Sequence, residues 1–425
     1  MATSRFVRLL SVLGPGIAIA ATGVGAGDFI ASTNEGSRYG DVLLWAAVYG
    51  AGLKFAVNEG VARWQLATGT TMLEGWVERF GRPLQYFFLL YLLIWSYFVG
   101  SGLISACGLA GHALFPQLSV NAWGVLHSLA GLVIVWFGRY AMFERAMKWM
   151  AALMFGAFIL SGLALGPNLP EILRGIFLPT VPSGSVPTIL SVLGGIGGSL
   201  TILCYGYWIR EVGRSDGSWL RDIRIDLGCA YLLTALFGIS VNIIGAQIKP
   251  EAAGSQAILI SMGDQMEAAL GPAGRYTLYL GFWGAVATSL LGVWQGIPYM
   301  FADFVALVRR AQGPARDAIV AQTSPYYRGF LLFLALPTQL ALLLEQPVSI
   351  VLIYTLIGAL FMPFLAATLL YMNTRRDWMG GLRSGWLSNT FLVLALALFA
   401  YLSVTEVRRL VEQHWPWIAI VRSAR

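Results

Sequence analysis

Ala21-Thr22-Gly23-Val24-Gly25-Ala26-Gly27-Asp28, read beside Gly194-Gly195-Ile196-Gly197-Gly198-Ser199-Leu200-Thr201, decides the fold of this 425-residue chain. Each stretch interrupts a hydrophobic segment at its centre with glycine, one near the N-terminus and one roughly halfway along. Backbone N–H and C=O groups released from a helix in hydrocarbon cost several kcal/mol each unless protein, water or a solute satisfies them. Paired breaks in corresponding halves therefore point to a solute site of the kind transporters build from discontinuous helices.

The surrounding composition is that of a membrane protein. Hydrophobic residues make up 57% of the chain and charged residues 12%, with a mean hydropathy of +0.69, against roughly 25% charged in soluble domains. Apolar runs of spanning length, about 20 residues, are read at 10–32, 43–66, 84–109, 120–137, 142–165, 186–208, 227–246, 276–308, 330–344, 348–371 and 386–404. The fold class is thus all-α and polytopic, with about eleven transmembrane helices. The run 330–344 is short and is bounded by Pro337 and Glu345.

Arginines alternate with that count. Arg5, Arg8, Arg79, Arg82, Arg139, Arg145, Arg210, Arg214, Arg221, Arg224, Arg309, Arg310, Arg316, Arg375, Arg376 and Arg383 fall on one side, and Arg38, Arg174 and Lys249 on the other. The positive-inside bias predicts a multi-pass cell-membrane protein with a cytoplasmic N-terminus; Arg408 and Arg409 are the exception. The net charge of +7 reads as topology and contact with the lipid bilayer, not as nucleic-acid binding. Polar connections are loop-sized, so residues 1–425 are expected to form a single domain. Cys107, Cys204 and Cys229 lie inside apolar runs at no metal-ligand spacing. No catalytic constellation and no nucleotide-binding loop is present, so neither an enzyme nor an ATP-driven pump is expected, and no cofactor is implied.

Gly14-Pro15-Gly16, the first break, Leu43-Leu44-Trp45, Ala62-Arg63 and Thr68-Gly69 together resemble the Nramp family of divalent-metal transporters. The similarity returns at Gly292-Val293-Trp294-Gln295-Gly296 and Met362-Pro363-Phe364. This resemblance implies a LeuT-like inverted repeat of helices one to five and six to ten with helices one and six broken. The repeats are expected at about 9–166 and 186–373, with an extra helix at 386–404.

At the site the chain departs from that family. Its Asp-Pro-Gly-Asn is here Gly25-Ala26-Gly27-Asp28, and the family's Ala-x-x-Met falls on Ser199 and Ile202, without the soft thioether that favours transition metals. The helix-ten glutamine falls on Thr355, the helix-six histidines are absent, and helix three offers Gly100 and Leu103 where acidic residues would stand. An apolar position of helix two is Lys54, expected at a depth similar to Asp28 and able to oppose a cation.

Asp28 is the leading substrate or coupling residue, since an ionisable group inside a span normally faces a cavity or a partner; a half-helix cap is the structural alternative. Lys54 and Asn58, four apart, share a face and are expected to line the cleft, whereas Glu59 and Arg63 are expected to form a structural ion pair. Tyr205, Trp294 and Gln295 add aromatic and amide groups suited to polar organic molecules. Arg210 and Glu211 close the sixth helix and read first as a solvated helix end, with a gate formed together with Asp216 as the alternative, and Asp303 is assigned a structural role.

These residues favour an alternating-access secondary transporter of a small polar organic solute such as a sugar, by uniport or proton coupling through Asp28 and Glu59. The alternative cargo is a divalent cation, Mg2+ or Mn2+, held by Asp28, and the second alternative is a non-transporting sensor.

Overall fold

A computed structural model describes residues 13–195, 197–248, 255–344 and 347–414. In chain order the helices are α1 (Pro15–Gly23), α2 (Ala26–Tyr39), α3 (Leu44–Thr68), α4 (Met72–Phe80), α5 (Arg82–Leu114), α6 (Val120–Phe137), α7 (Tyr140–Ala164), α8 (Leu169–Phe177), α9 (Val186–Gly195), α10 (Cys204–Glu211), α11 (Leu220–Ile248), α12 (Ser255–Leu270), α13 (Pro272–Val308), α14 (Gly313–Val320), α15 (Pro325–Ala335), α16 (Pro347–Thr374), α17 (Arg376–Met379) and α18 (Trp386–His414).

Among the described residues, seven helical stretches are long and apolar enough to cross a membrane, and Leu360–Thr374 is a shorter eighth. The difference from eleven has physical causes. A short 3-10 turn, Gly40–Leu43, joins α2 to α3, so Ala26–Thr68 runs as one stretch. The two broken spans leave half-helices of nine and fourteen residues in the first and of ten and eight in the sixth. In the 330–344 run α15 stops at Ala335 and continues as the 3-10 segment Pro337–Leu344. The end that carries Arg210, Arg214, Arg224 and Arg316 is the arginine-rich face.

Both breaks form where the sequence places glycine. Between α1 and α2, Val24 and Gly25 are extended. After α9, Gly197 (φ +86°) and Gly198 (φ +78°) are left-handed, a backbone that only glycine adopts without strain. The breaks also touch: a Cβ on Gly23 would lie 2.8 Å from the Gly197 carbonyl carbon. Around them α13, α11 and α3 form the inner layer, with α5, α7 and α16 outside.

At the arginine-rich face, α1 starts on a carboxylate of α11. Asp226 accepts from the N–H of Gly14 (3.3 Å) and Gly16 (2.9 Å), from the Tyr205 hydroxyl (3.0 Å) and from Arg214 (3.3 Å). A Cβ on Gly16 would approach Asp226 Oδ1 to 2.4 Å. Gly16→Ala is therefore expected to lower stability by about 1–3 kcal/mol, read as a fall in melting temperature in detergent. Gly52→Ala, where nothing stands within 4 Å, should leave it unchanged or slightly higher.

Candidate functional site

The freed backbone groups of the first break are taken up by hydroxyls from α13. Thr288 Oγ1 donates to the Ala21 carbonyl (2.9 Å), and Ser289 Oγ lies 3.1 Å from the Thr22 carbonyl and 2.8 Å from that of Val24. On the far side of the break Asp28 Oδ2 accepts from Gly25 N–H at 2.9 Å, folding back as the N3 member of a capping arrangement. Its other oxygen, Oδ1, has no partner.

The second break is held from α3. The fully buried Lys54 ammonium donates to the Gly198 carbonyl and lies 5.3 Å from the centre of the Phe399 ring. Its electrostatic partner is Asp28, across the contact between the two breaks. Lys54 thus caps carbonyls at the C-terminal end of a half-helix, where a cation is favoured.

Between the breaks lies a cavity of about 110 Å3, room for several waters at about 10–15 Å3 each. Gly25, Asp28 and Ser199 line it, joined by hydroxyls of Thr22, Ser191, Thr201 and Ser289. Trp95, Val99 and Leu103 of α5 and Val293 of α13 form the apolar wall. Three buried polar atoms of these lining residues are unpartnered, Asp28 Oδ1, Thr201 Oγ1 and Trp95 Nε1. A carboxylate, a hydroxyl and an indole N–H are thereby left for a solute.

Six expected site residues stand off this cavity. Lys54 is turned to Gly198, and Asn58 Nδ2 donates to the Tyr231 hydroxyl at 3.2 Å. Ile202 is fully buried in the 3-10 turn Leu200–Leu203. Tyr205 belongs to the Asp226 cluster, Gln295 accepts from the Trp208 indole, and the Trp294 ring is fully buried. Thr355 lies in α16, but its side chain falls outside the described residues. The α13 hydroxyls and Trp95 were missed. The adjacent Thr288-Ser289 pair inside an apolar run was their available signal.

Glu59 forms the expected pair with Arg63 and a second with Arg224 at 2.9 Å. Two guanidiniums, from α3 and α11, thus converge on Glu59.

Arg210, Glu211 and Asp216 do not meet one another at the end of the sixth helix. Arg210 donates to the Gly69 carbonyl (2.6 Å) and reaches Glu74 (3.4 Å), whereas Asp216 caps Ser218 N–H and Glu211 accepts from Tyr299. Asp303 is the hub: it accepts from Thr71 (2.7 Å), Tyr207 (2.9 Å) and Arg316 (2.6 Å), and Arg316 also pairs with Glu74 at 2.9 Å. This network ties α4, α10, α13 and α14 together and closes the arginine-rich face.

Comparison with known proteins follows this geometry. A family model described as natural resistance-associated macrophage protein-like (Nramp) matches residues 16–408. The divalent metal cation transporter MntH of Bacillus subtilis is 25% identical over 264 residues, covering 57% of this chain and 59% of that protein. MntH of Pectobacterium carotovorum is 27% identical over 203 residues, 45% and 47% of the two chains. The chain spans about half the length of the curated relatives it matches. A mutant of the Eremococcus coleocola manganese transporter superposes with a TM-score of 0.75 at 14% identity, over 96% of this chain and 88% of that one. A Na+-coupled sialic acid symporter gives 0.54 at 13%, over 92% and 88%. At such identities the likeness is one of fold, the LeuT-like arrangement with broken helices one and six.

Two measurements test the site's construction. Lys54→Met strands the Gly198 carbonyl and is expected to cost about 2 kcal/mol, read by thermal unfolding. Burial raises the Glu74 carboxyl above its ordinary 4.5, and Asp303 adds to this, while Thr71 N–H, Arg316 and Arg210 oppose it. The folded protein then keeps a proton that the unfolded chain has released, so stability falls as pH climbs from about 4.5 through the raised value. Across that window the wild type should lose stability relative to Glu74→Gln.

Proposed function

The chain belongs to the Nramp family, and from that premise we propose that it carries a divalent cation, Mg2+ or Mn2+, by alternating access through the cavity at Asp28. The observation that carries this reading is the unpartnered Asp28 Oδ1 in a cavity ringed by hydroxyl oxygens. Mg2+ gives up water reluctantly and is often held by one or two carboxylates with several waters retained. A single carboxylate in a cavity with room for several waters suits a partly hydrated hard ion. The named cargo of the MntH relatives is likewise a divalent metal cation. The organic solute favoured by the residue types alone has no counterpart among those relatives. The arginine-rich face is taken as cytoplasmic, with the N-terminus on that side, and the two halves at about 9–166 and 186–373 as the inverted repeats.

A small polar organic solute stays as the second reading because of one observation. The Trp95 indole offers an unpartnered N–H beside the apolar residues Val99, Leu103 and Val293, and a metal ion has no use for a donor.

Purified protein in liposomes decides between them. Uptake of Mn2+ or Mg2+ is expected in the wild type, falling at least tenfold in an Asp28→Ala variant that still unfolds cooperatively as a folded protein. Metal flux surviving unchanged in Asp28→Ala would reject the site. No metal flux together with uptake of a labelled sugar or amino acid would establish the second reading.

A further inference from the structure

Seven residues beyond Asp28, on the same face of α2, stands a second carboxylate with no function in the site above. Asp28, Ser32 and Glu35 follow the i, i+4, i+7 spacing of one helical face. At about 1.5 Å per residue Glu35 lies roughly 10 Å further from the arginine-rich face. Its exposure is zero, as are those of Ser32 and Asn242. Neither Glu35 carboxylate oxygen nor the Ser32 hydroxyl meets a partner at full hydrogen-bond geometry, and the polar group set against the carboxylate is the neutral Asn242 amide. The Asn242 amide lies beside the Glu35 carboxylate, on a seam so tight that a Cβ on Gly36 would lie 2.0 Å from the Asn242 carbonyl oxygen.

Among the described residues, no cation faces Glu35. On α2 itself the charged residues are Asp28 and the exposed Arg38. α11 presents Asn242 and, nearer the breaks, Tyr231, and α9 contains no titratable residue. The 3-10 turn Gly40–Leu43 carries Asp41, and α13 approaches α2 near the first break with Ser289. On the α12 side Thr33 meets Met262, while Asp264 and Glu267 are paired with Arg275.

An ionised carboxylate in hydrocarbon without a cation is untenable; it must be neutralised. The cavity lining reaches Ala31 on α2 and not Glu35, and the backbones of α2 and α11 are in contact, which leaves a proton as the species that fits. We propose that Glu35 is a proton-binding site of the transport cycle, occupied in this closed conformation and emptied to water when the α2–α11 seam opens. On emptying, the carboxyl O–H bond breaks, the electron pair stays on the carboxylate and the proton passes to solvent. The coupling proton is thereby carried about two helical turns from the cargo. This extends the proposed cation transport but can be tested apart from it.

Infrared difference spectra of the full chain in lipid, recorded between acid and alkaline pH, read the C=O stretch of a buried carboxylic acid without any cargo. The wild type is expected to show this band and Glu35→Gln to lose it with an unchanged melting temperature. A band unaltered in Glu35→Gln, or one abolished by high Na+ at constant pH, would overturn the proposal. In liposomes, a proton gradient should stimulate wild-type Mn2+ flux but not flux through Glu35→Gln; equal stimulation in both overturns the coupling role. A wild type with the band but neither Mn2+ nor Mg2+ flux would reject the cation reading and leave the proton site standing.

Discussion

Every element near the centre of this protein is arranged around unpaired peptide groups. Two spans stop being helical halfway through a bilayer, and their carbonyls need donors that neither helix supplies. α13 sends hydroxyls to Ala21, Thr22 and Val24, and α3 sends an ammonium to Gly198. Breaks satisfied in this way are rigid features of the fold, and the cavity between them inherits their polar edges. A helix-spanning alternative would leave no cavity and would need none of Thr288, Ser289 or Lys54.

The closure at the arginine-rich face follows a different principle. There, carboxylates and guanidiniums are layered so that Asp303 and Glu74 share Arg316 while Arg210 bridges Glu74 to the Gly69 carbonyl. The contacts come from four separate elements, so no single helix can leave without breaking ion pairs made by others. In the opposite half, Glu35 meets no counter-charge among the described residues. The protein is thus closed by ion pairs at one end, whereas the α2–α11 seam rests on close backbone contact at Gly36.

Much of this was legible in the residue order because glycine and charge are expensive in a span. The breaks, the exposed chemistry of Asp28 and the Glu59–Arg63 pair all follow from what hydrocarbon forbids. Side-chain direction was not legible. Lys54 and Asn58 share a helical face, but that face meets Gly198 and Tyr231 and not the cavity. Trp294 and Gln295 lie one turn past Ser289 and point into packing. Fewer than eleven helices meet the length and apolarity of a span among the described residues for a related reason, since broken and 3-10 segments cross the same depth with fewer helical residues. The cargo is the hardest part to read, because Asp28 serves a hydrated ion and an organic solute equally well until flux is measured.

Asp226 adds a mechanical asymmetry. Four donors converge on it, but only the two from Gly14 and Gly16 belong to the start of α1. If α1 swings away, Tyr205 and Arg214 still satisfy the carboxylate, and the released N–H groups meet water. Detachment therefore exchanges partners without orphaning a charge, whereas withdrawing α11 would strand the carboxylate itself. On these contacts α1 is the element whose departure would leave Asp226 satisfied, and α11 the post that carries it.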